Sequence, residues 1–241
     1  MSAMTTCRTR VPRRMLPVLA GGAGVAALTY AGYVATTWAR YGRHADRPDP
    51  LLDRFMPRYE VGERHEAHVD APPGLTMEVA RALDFGRLPV ARTLFRLRER
   101  LLGGAEAEED RPLGLVEGSL AMGWGVLLDD PGRALVMGTV CRPWNADPGF
   151  HAVPAEDFAA FADPGLVKIV WALGVAPAGA GASRAWTATR VATTDAAARA
   201  RFRRYWAALS PGIFLIRWAL LRRLQSEAER RQREAEASVE A

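Results

Sequence analysis

From Met15 to Ala39 the chain runs for 25 residues without one charged side chain, and no other feature limits its possible structures as sharply. As an α-helix that run would measure about 37 Å at ~1.5 Å per residue, more than the ~30 Å hydrocarbon core of a bilayer. Tyr30, Tyr33, Trp38 and Tyr41 gather toward its C-terminal end, where amphipathic rings favour the headgroup region, and arginines close both ends. The run therefore predicts a single transmembrane helix over 15–39, with the lipid bilayer as a partner and the cell membrane as the location. A cleavable signal peptide is the competing reading, with Arg8, Arg10, Arg13 and Arg14 as its basic region and a cut after Ala35 or Ala39. The uncharged stretch overshoots the usual ~7–15-residue apolar core of such a peptide, which favours the anchor. Arg40, Arg43, Arg47 and Arg54 follow the run as closely as four arginines precede it, so the positive-inside count is a tie. The more compact cluster, 8–14, tilts the reading toward an extracytoplasmic domain.

Gly22, Gly24 and Ala27 spell G-x-G-x-x-A, the outline of a dinucleotide-binding turn. That turn must continue into a second parallel strand with an acidic residue for the ribose, whereas here the chain passes through Trp38 into arginine- and proline-rich sequence. Small residues in a membrane helix account for the glycines instead.

The formal charge is +5, but residues 1–58 hold nine Arg and three Asp, leaving 23 basic and 24 acidic groups in the rest. Basicity thus belongs to the N-terminal segment and not to a folded face that would meet phosphate, which argues against a nucleic-acid binder. A chain of 241 residues that is 49% hydrophobic is neither disordered nor a multi-span transporter. Cys7 and Cys141 stand in unrelated contexts, so no disulfide framework is expected.

Residues 1–14 read as a basic tail and 40–58, with Pro48, Pro50 and Pro57 among Arg and Asp, as an extended linker. A domain over 59–224 follows, and 225–241 reads as a charged helical tail. Within the domain, Glu60 to Ala71 is strand-like, and Leu75 to Leu83 and Val90 to Leu102 have helical spacing before a polar loop at 103–112. From about Leu120 the pattern is β: hairpins are predicted over 124–128 with 134–141, and over 167–175 with 183–193. A short helix is expected at 154–161 between them. Asp195 caps a long helix whose stripe, Phe202, Tyr205, Trp206 and Leu209, continues through Ile213, Ile216, Leu220 and Leu224. Pro211 predicts a kink or a restart.

That order of elements resembles the helix-grip fold of the SRPBCC superfamily, which includes START domains, Bet v 1-like proteins and polyketide cyclases. Glu63-Arg64-His65 with Ala71-Pro72-Pro73 looks like the first strand and its exit; Thr187 to Val191 with Thr194-Asp195 looks like the last strand and its turn; Arg203-Arg204-Tyr205-Trp206 looks like the opening of the final helix. The resemblance implies an α+β domain, an antiparallel sheet wrapped around a long C-terminal helix, with a cavity that in relatives holds apolar molecules. The 145–163 stretch departs from it, being helical here where the family often has strand. On this reading the cavity walls would be Trp124, Met137, Ile169, Trp171, Leu173, Thr187, Thr189, Phe202 and Trp206. The bland alternative for the aromatic set is core filling between sheet and helix.

Other side chains suggest chemistry less well. His65 and His68 lie at i and i+3 on a strand, where they point to opposite faces, and read as surface histidines. Lys168, the one lysine, alternates away from Ile169 and Trp171 onto a face expected to be solvated. Arg142 and Arg190 read as surface arginines, or as partners of a ligand's acidic group. There is no G-x-S-x-G and no metal-ligand spacing, so no catalytic residue, metal or cofactor is assigned. The expected function is a membrane-tethered module that binds an apolar small molecule or lipid. A cyclase-like or hydrolytic enzyme in the same cavity, and a structural envelope protein with a collapsed cavity, are the alternatives; fold alone licenses no reaction.

Overall fold

The computed structural model describes residues 16–43, 48–84 and 114–240 together with Pro89, Thr93, Arg96 and Arg100, and gives only the backbone at 16–23, 26, 27, 239 and 240. In chain order the elements are α1 (Leu16–Arg40), α2 (Pro50–Asp53), β1 (Val61–Val69), α3 (Pro73–Ala82), α4 (Leu115–Ala121), β2 (Gly125–Asp130), β3 (Ala134–Cys141), α5 (Ala155–Phe158), β4 (Val167–Pro177), β5 (Ser183–Thr193) and α6 (Ala196–Glu240). The five strands form one sheet in the order β1-β5-β4-β3-β2, with every neighbouring pair antiparallel. An antiparallel sheet with a long C-terminal helix across one face is an α+β architecture that fits the helix-grip arrangement. The helix at 90–102 and the loop at 103–112 fall almost wholly outside the described residues; Pro89, Thr93, Arg96 and Arg100 are helical. α4 precedes the stretch read as β from about Leu120, and the sequence pattern assigned no element over most of it.

The sheet is covered on both faces. A strand with one solvated face alternates between buried and exposed residues, yet β3 is buried at every position. On the helix side Val69, Leu173, Val175 and Ala185 meet Leu221, Leu224 and Ala228 of α6 and Met77, Val79 and Ala80 of α3. Nearer the start of α6, Val61, Val167 and Val191 pack on Phe202 and Trp206. On the far side Val136, Val170, Ala172 and Ala188 meet Leu127, Phe158, Leu52, Phe55 and Met56. Contact there is close: a Cβ added to Gly138 would stand 2.6 Å from Leu127 Cδ1 and 2.7 Å from Phe158 Cε2.

Three expectations are corrected by this second layer. The 40–58 stretch is not wholly an extended linker, because Leu52, Phe55 and Met56 are buried in the core. Asp49 caps α2 by accepting from the backbone N–H groups of Leu51 and Leu52, and Pro50 opens the turn. Arg190, itself buried, ties the segment down: its Nη1 donates to Asp53 Oδ1 at 2.6 Å and to the Met56 carbonyl at 2.8 Å, and the guanidinium lies over the Tyr59 ring. Lys168 is buried too, on the face expected to be solvated. Its ammonium donates to the carbonyls of Ala159 and Phe161, just past the C-terminal end of α5, where a cation is favourable.

α6 runs unbroken through Pro211 rather than restarting there. Proline leaves the preceding turn short of a hydrogen bond, and α1 lies against that turn. Tyr30 donates its hydroxyl to the Ala208 carbonyl at 2.6 Å, and the Tyr33 hydroxyl shares a 2.8 Å bond with Ser210 Oγ. Arg203 donates to the Trp38 carbonyl and stacks over its indole at 4.1 Å. The uncharged run is therefore one helix whose C-terminal part is docked on α6. Among the described residues no helix is long and apolar enough to cross a membrane.

Candidate functional site

β1 is an edge strand, and antiparallel pairing fixes which of its side chains turn toward α6. Val61 pairs with Val191, Glu63 with Thr189 and His65 with Thr187, while Trp171 on β4 stands opposite Thr189. Because strand side chains alternate, Val61, Glu63, His65, Ala67 and Val69 share the helix-side face. A polar patch of Glu63, His65, Thr187 and Thr189 thus lies in the middle of an otherwise apolar surface, and α6 crosses it with Phe214 and Arg217. The His65 ring meets the Phe214 ring edge-on at 5.9 Å between centroids.

Thr187 is the hub. Its hydroxyl oxygen accepts from Trp171 Nε1 at 2.9 Å and from Arg217 Nη1 at 3.2 Å, and its hydrogen is donated to the Ala172 carbonyl at 3.0 Å. One donor and two lone pairs are then all in use. Around this hub three buried polar atoms have no partner: Arg217 Nε, His65 Nε2 and Thr189 Oγ1. Groups of that kind are uncommon inside proteins and mark places where water or a ligand completes the bonding.

Electrostatics at the patch follow from burial. Burial pulls the Arg217 guanidinium down to about 10, against the opposing pull of the Glu63 charge, so it remains a cation at neutral pH. Burial pushes the Glu63 carboxyl above its usual range, with Arg217 acting in the other direction. His65 is held below its ordinary value by burial first and by Arg217 second, which favours the neutral imidazole.

A cleft of about 720 Å³ opens along β1 above this patch. Val61, Glu63, Thr189, Trp206 and Phe214 form its inner wall, Tyr33, Thr37, Arg40 and Tyr41 bring in the end of α1, and Arg64, Arg190, Asp49 and Leu52 lie on the other side of the strand. Trp206 is held by Phe202 at 5.9 Å and Phe214 at 6.2 Å between ring centroids. Aromatic walls beside arginines and carboxylates in equal number suit a molecule with an apolar body and a polar end.

The nine residues expected to line a cavity divide among several places. Thr189 and Trp206 line the cleft. Thr187 is the hub of the polar patch and takes the Trp171 indole bond, and Phe202 packs against Trp206. Met137 and Leu173 are fully buried, whereas Ile169 is half-buried in the cluster with Trp206. Trp124 stands at the far edge of the sheet against Phe150, 6.0 Å between centroids.

Glu63, His65 and Arg217 were missed. His65 is not the surface histidine that its spacing suggested, although His68 is exposed and bonds Asp70. The signal was present: with Val61 and Val69 inside, alternation carries Glu63 and His65 inward as well. On α6, Ile213, Arg217 and Leu220 fall at i, i+4 and i+7, so Arg217 lies on the buried stripe. Arg142 is exposed and donates to the Gly165 carbonyl. Among the described residues no group of three or more His, Cys, Asp or Glu is placed to hold a metal ion.

No protein-family model matches the chain, and no curated protein does. Solved structures match at low similarity, among them the following two. A hypothetical protein from Helicobacter pylori shares 10% identity over 77% of this chain and 96% of its own, with a TM-score of 0.36. Ara h 8.0201 shares 10% identity over 69% of this chain and 98% of its own, with a TM-score of 0.21. At such scores the assignment of fold rests on this chain's own sheet order and helix placement.

Proposed function

We propose that this protein is a binding module for an apolar or amphipathic small molecule or lipid, taken up in the cleft along β1, and that its N-terminal helix tethers it to a membrane. The observation that carries the binding half is the cleft itself: about 720 Å³ is room for a ligand of lipid or drug-like size, and its inner wall is Val61, Trp206 and Phe214. The wall lies at β1, an edge strand of the sheet.

The tether is proposed from the uncharged run at 15–39 and from the surface beside it. Val25 and Leu28 on α1 and Leu215 and Trp218 on α6 are large apolar side chains left more than half exposed. Exposed apolar side chains of that kind suit a lipid environment. The compact arginine cluster before the run places the domain on the extracytoplasmic side in this proposal.

Titration of the full chain with an environment-sensitive apolar fluorophore tests the binding half: saturable binding supports it, and linear partitioning without saturation overturns it. Alkaline extraction of membranes tests the tether, since release of the full chain would overturn that half. A second reading, an enzyme working in the same cleft, is favoured by one observation, the acid Glu63 and the neutral base His65 two residues apart on one strand face. Recovery of bound ligand chemically unchanged separates binding from turnover.

A further inference from the structure

We infer that Arg217 anchors the head of the ligand, and that the ligand is a carboxylate-headed amphipath whose apolar chain lies along Trp206 and Phe214. The inference rests on the binding reading above and adds the chemical class of the molecule.

Arg217 is more than nine-tenths buried, and among the described residues its one hydrogen bond is from Nη1 to Thr187. Its Nε is buried without a partner. Among the described residues no carboxylate forms an ion pair with it; Glu63 acts on it through charge at longer range. Guanidinium carries five N–H donors in a planar fork that matches a carboxylate, and a buried cation left unpaired is costly. A helix that needed only packing would place leucine at this point of the stripe.

The surroundings complete a set of donors for an anion. The buried Thr189 hydroxyl has no partner and can donate, and so can the unpartnered Nε2 of His65 in the tautomer that places its proton there. Thr189 and Glu63 line the cleft beside Trp206 and Phe214, whereas Arg217, His65 and Thr187 do not, so a head group reaches the guanidinium past Thr189. One guanidinium with one acidic neighbour suits a single negative charge: a dianionic phosphate would face Glu63 with no second cation at the floor.

The test uses the full chain in neutral detergent and three 16-carbon probes with the same brominated chain: a carboxylate, the alcohol and the alkyl phosphate. Binding is read as quenching of tryptophan fluorescence. Wild type is expected to bind the carboxylate at least tenfold more tightly than the alcohol, and more tightly than the phosphate. Arg217→Gln is expected to erase that preference while the alcohol still binds, and Arg217→Lys to restore part of it. Equal binding of carboxylate and alcohol by wild type overturns the inference and leaves the binding reading standing; failure of all three probes overturns the binding reading itself. Tighter binding of the phosphate overturns the assigned class. Should Arg217→Gln not fold, Thr189→Val decides in its place: an undiminished preference for the carboxylate in that variant counts against the anion site, and a reduced one supports it.

Discussion

Nη1 of Arg217 stands 3.2 Å from Oγ1 of Thr187, so the C-terminal helix meets the centre of the sheet through a charged group where its stripe is otherwise apolar. That contact joins the middle of α6 to β5, and through the same oxygen to Trp171 on β4. Replacing Thr187 by valine keeps the volume and strands two buried donors. A loss of about 1–3 kcal/mol is expected, with Thr187→Ser costing less because the hydroxyl survives. Urea unfolding of both variants reads the difference, and a Thr187→Ser loss as large as that of Thr187→Val would contradict a dominant role for the hydroxyl.

Glu63 and His65 pull the pH dependence of stability in opposite directions. Burial holds Glu63 above its ordinary 4.5, so the native state keeps a proton that the unfolded chain has released, and stability falls as pH rises through the raised value. His65 is held below its ordinary 6.5, so the unfolded chain takes up a proton that the native state refuses, and stability falls as pH drops below about that value. Glu63→Gln is expected to remove the alkaline decline and leave the acid one. Denaturation midpoints for wild type and variant between pH 4 and 8 check this; parallel curves would contradict it.

Much of the architecture is legible in the sequence, for identifiable physical reasons. Alternation marks β4 and β5, the turn at Asp130 to Gly132 marks the β2–β3 hairpin, and a 3.6-residue stripe marks α6. What escapes is whatever depends on a second covering layer. Lys168 reads as solvated because one charged residue on a strand face signals water, but a loop carbonyl pair, Ala159 and Phe161, takes the place of water. Leu52, Phe55 and Met56 are spaced for a helical turn yet are surrounded by Arg, Asp and Pro, so composition masks them. At the candidate site, Trp206 and Thr189 were within reach of pattern reasoning. Arg217 was not, since a cation on an apolar stripe looks like an interruption until the partner sheet is known to carry Thr187.

The segment around α2 is expected to depend on Arg190. Arg190→Met removes the bonds to Asp53 and to the Met56 carbonyl while keeping most of the packing on Tyr59. A loss of about 1–3 kcal/mol is expected, held to the lower part of the range for buried pairs because Asp53 is partly exposed. Limited proteolysis should cut faster between residues 43 and 58 in the variant, and an unchanged cleavage pattern would show that Leu52, Phe55 and Met56 hold the segment alone.

Trp206 is both a cleft wall and a core residue, packed between Phe202 and Phe214 and 5% exposed. Trp206→Ala is expected to cost about 3–5 kcal/mol, the range for truncating a buried aromatic. Trp206→Phe should retain most of the stability and weaken the binding of apolar probes. Thermal unfolding and fluorophore titration on the same samples separate the two effects, and probe binding that survives Trp206→Phe unchanged would remove this residue from the wall.

Photoaffinity labelling tests the cleft most directly. The full chain is irradiated with a saturating aliphatic diazirine probe, with and without an excess of unlabelled competitor, and the modified peptides are mapped. Competable labels are expected on β1 near Val61 and Glu63 and on α6 between Trp206 and Phe214, two segments far apart in sequence that together line the cleft. Labels that do not saturate, or that fall instead on the exposed Val25, Leu28 and Trp218, would contradict a ligand site along β1.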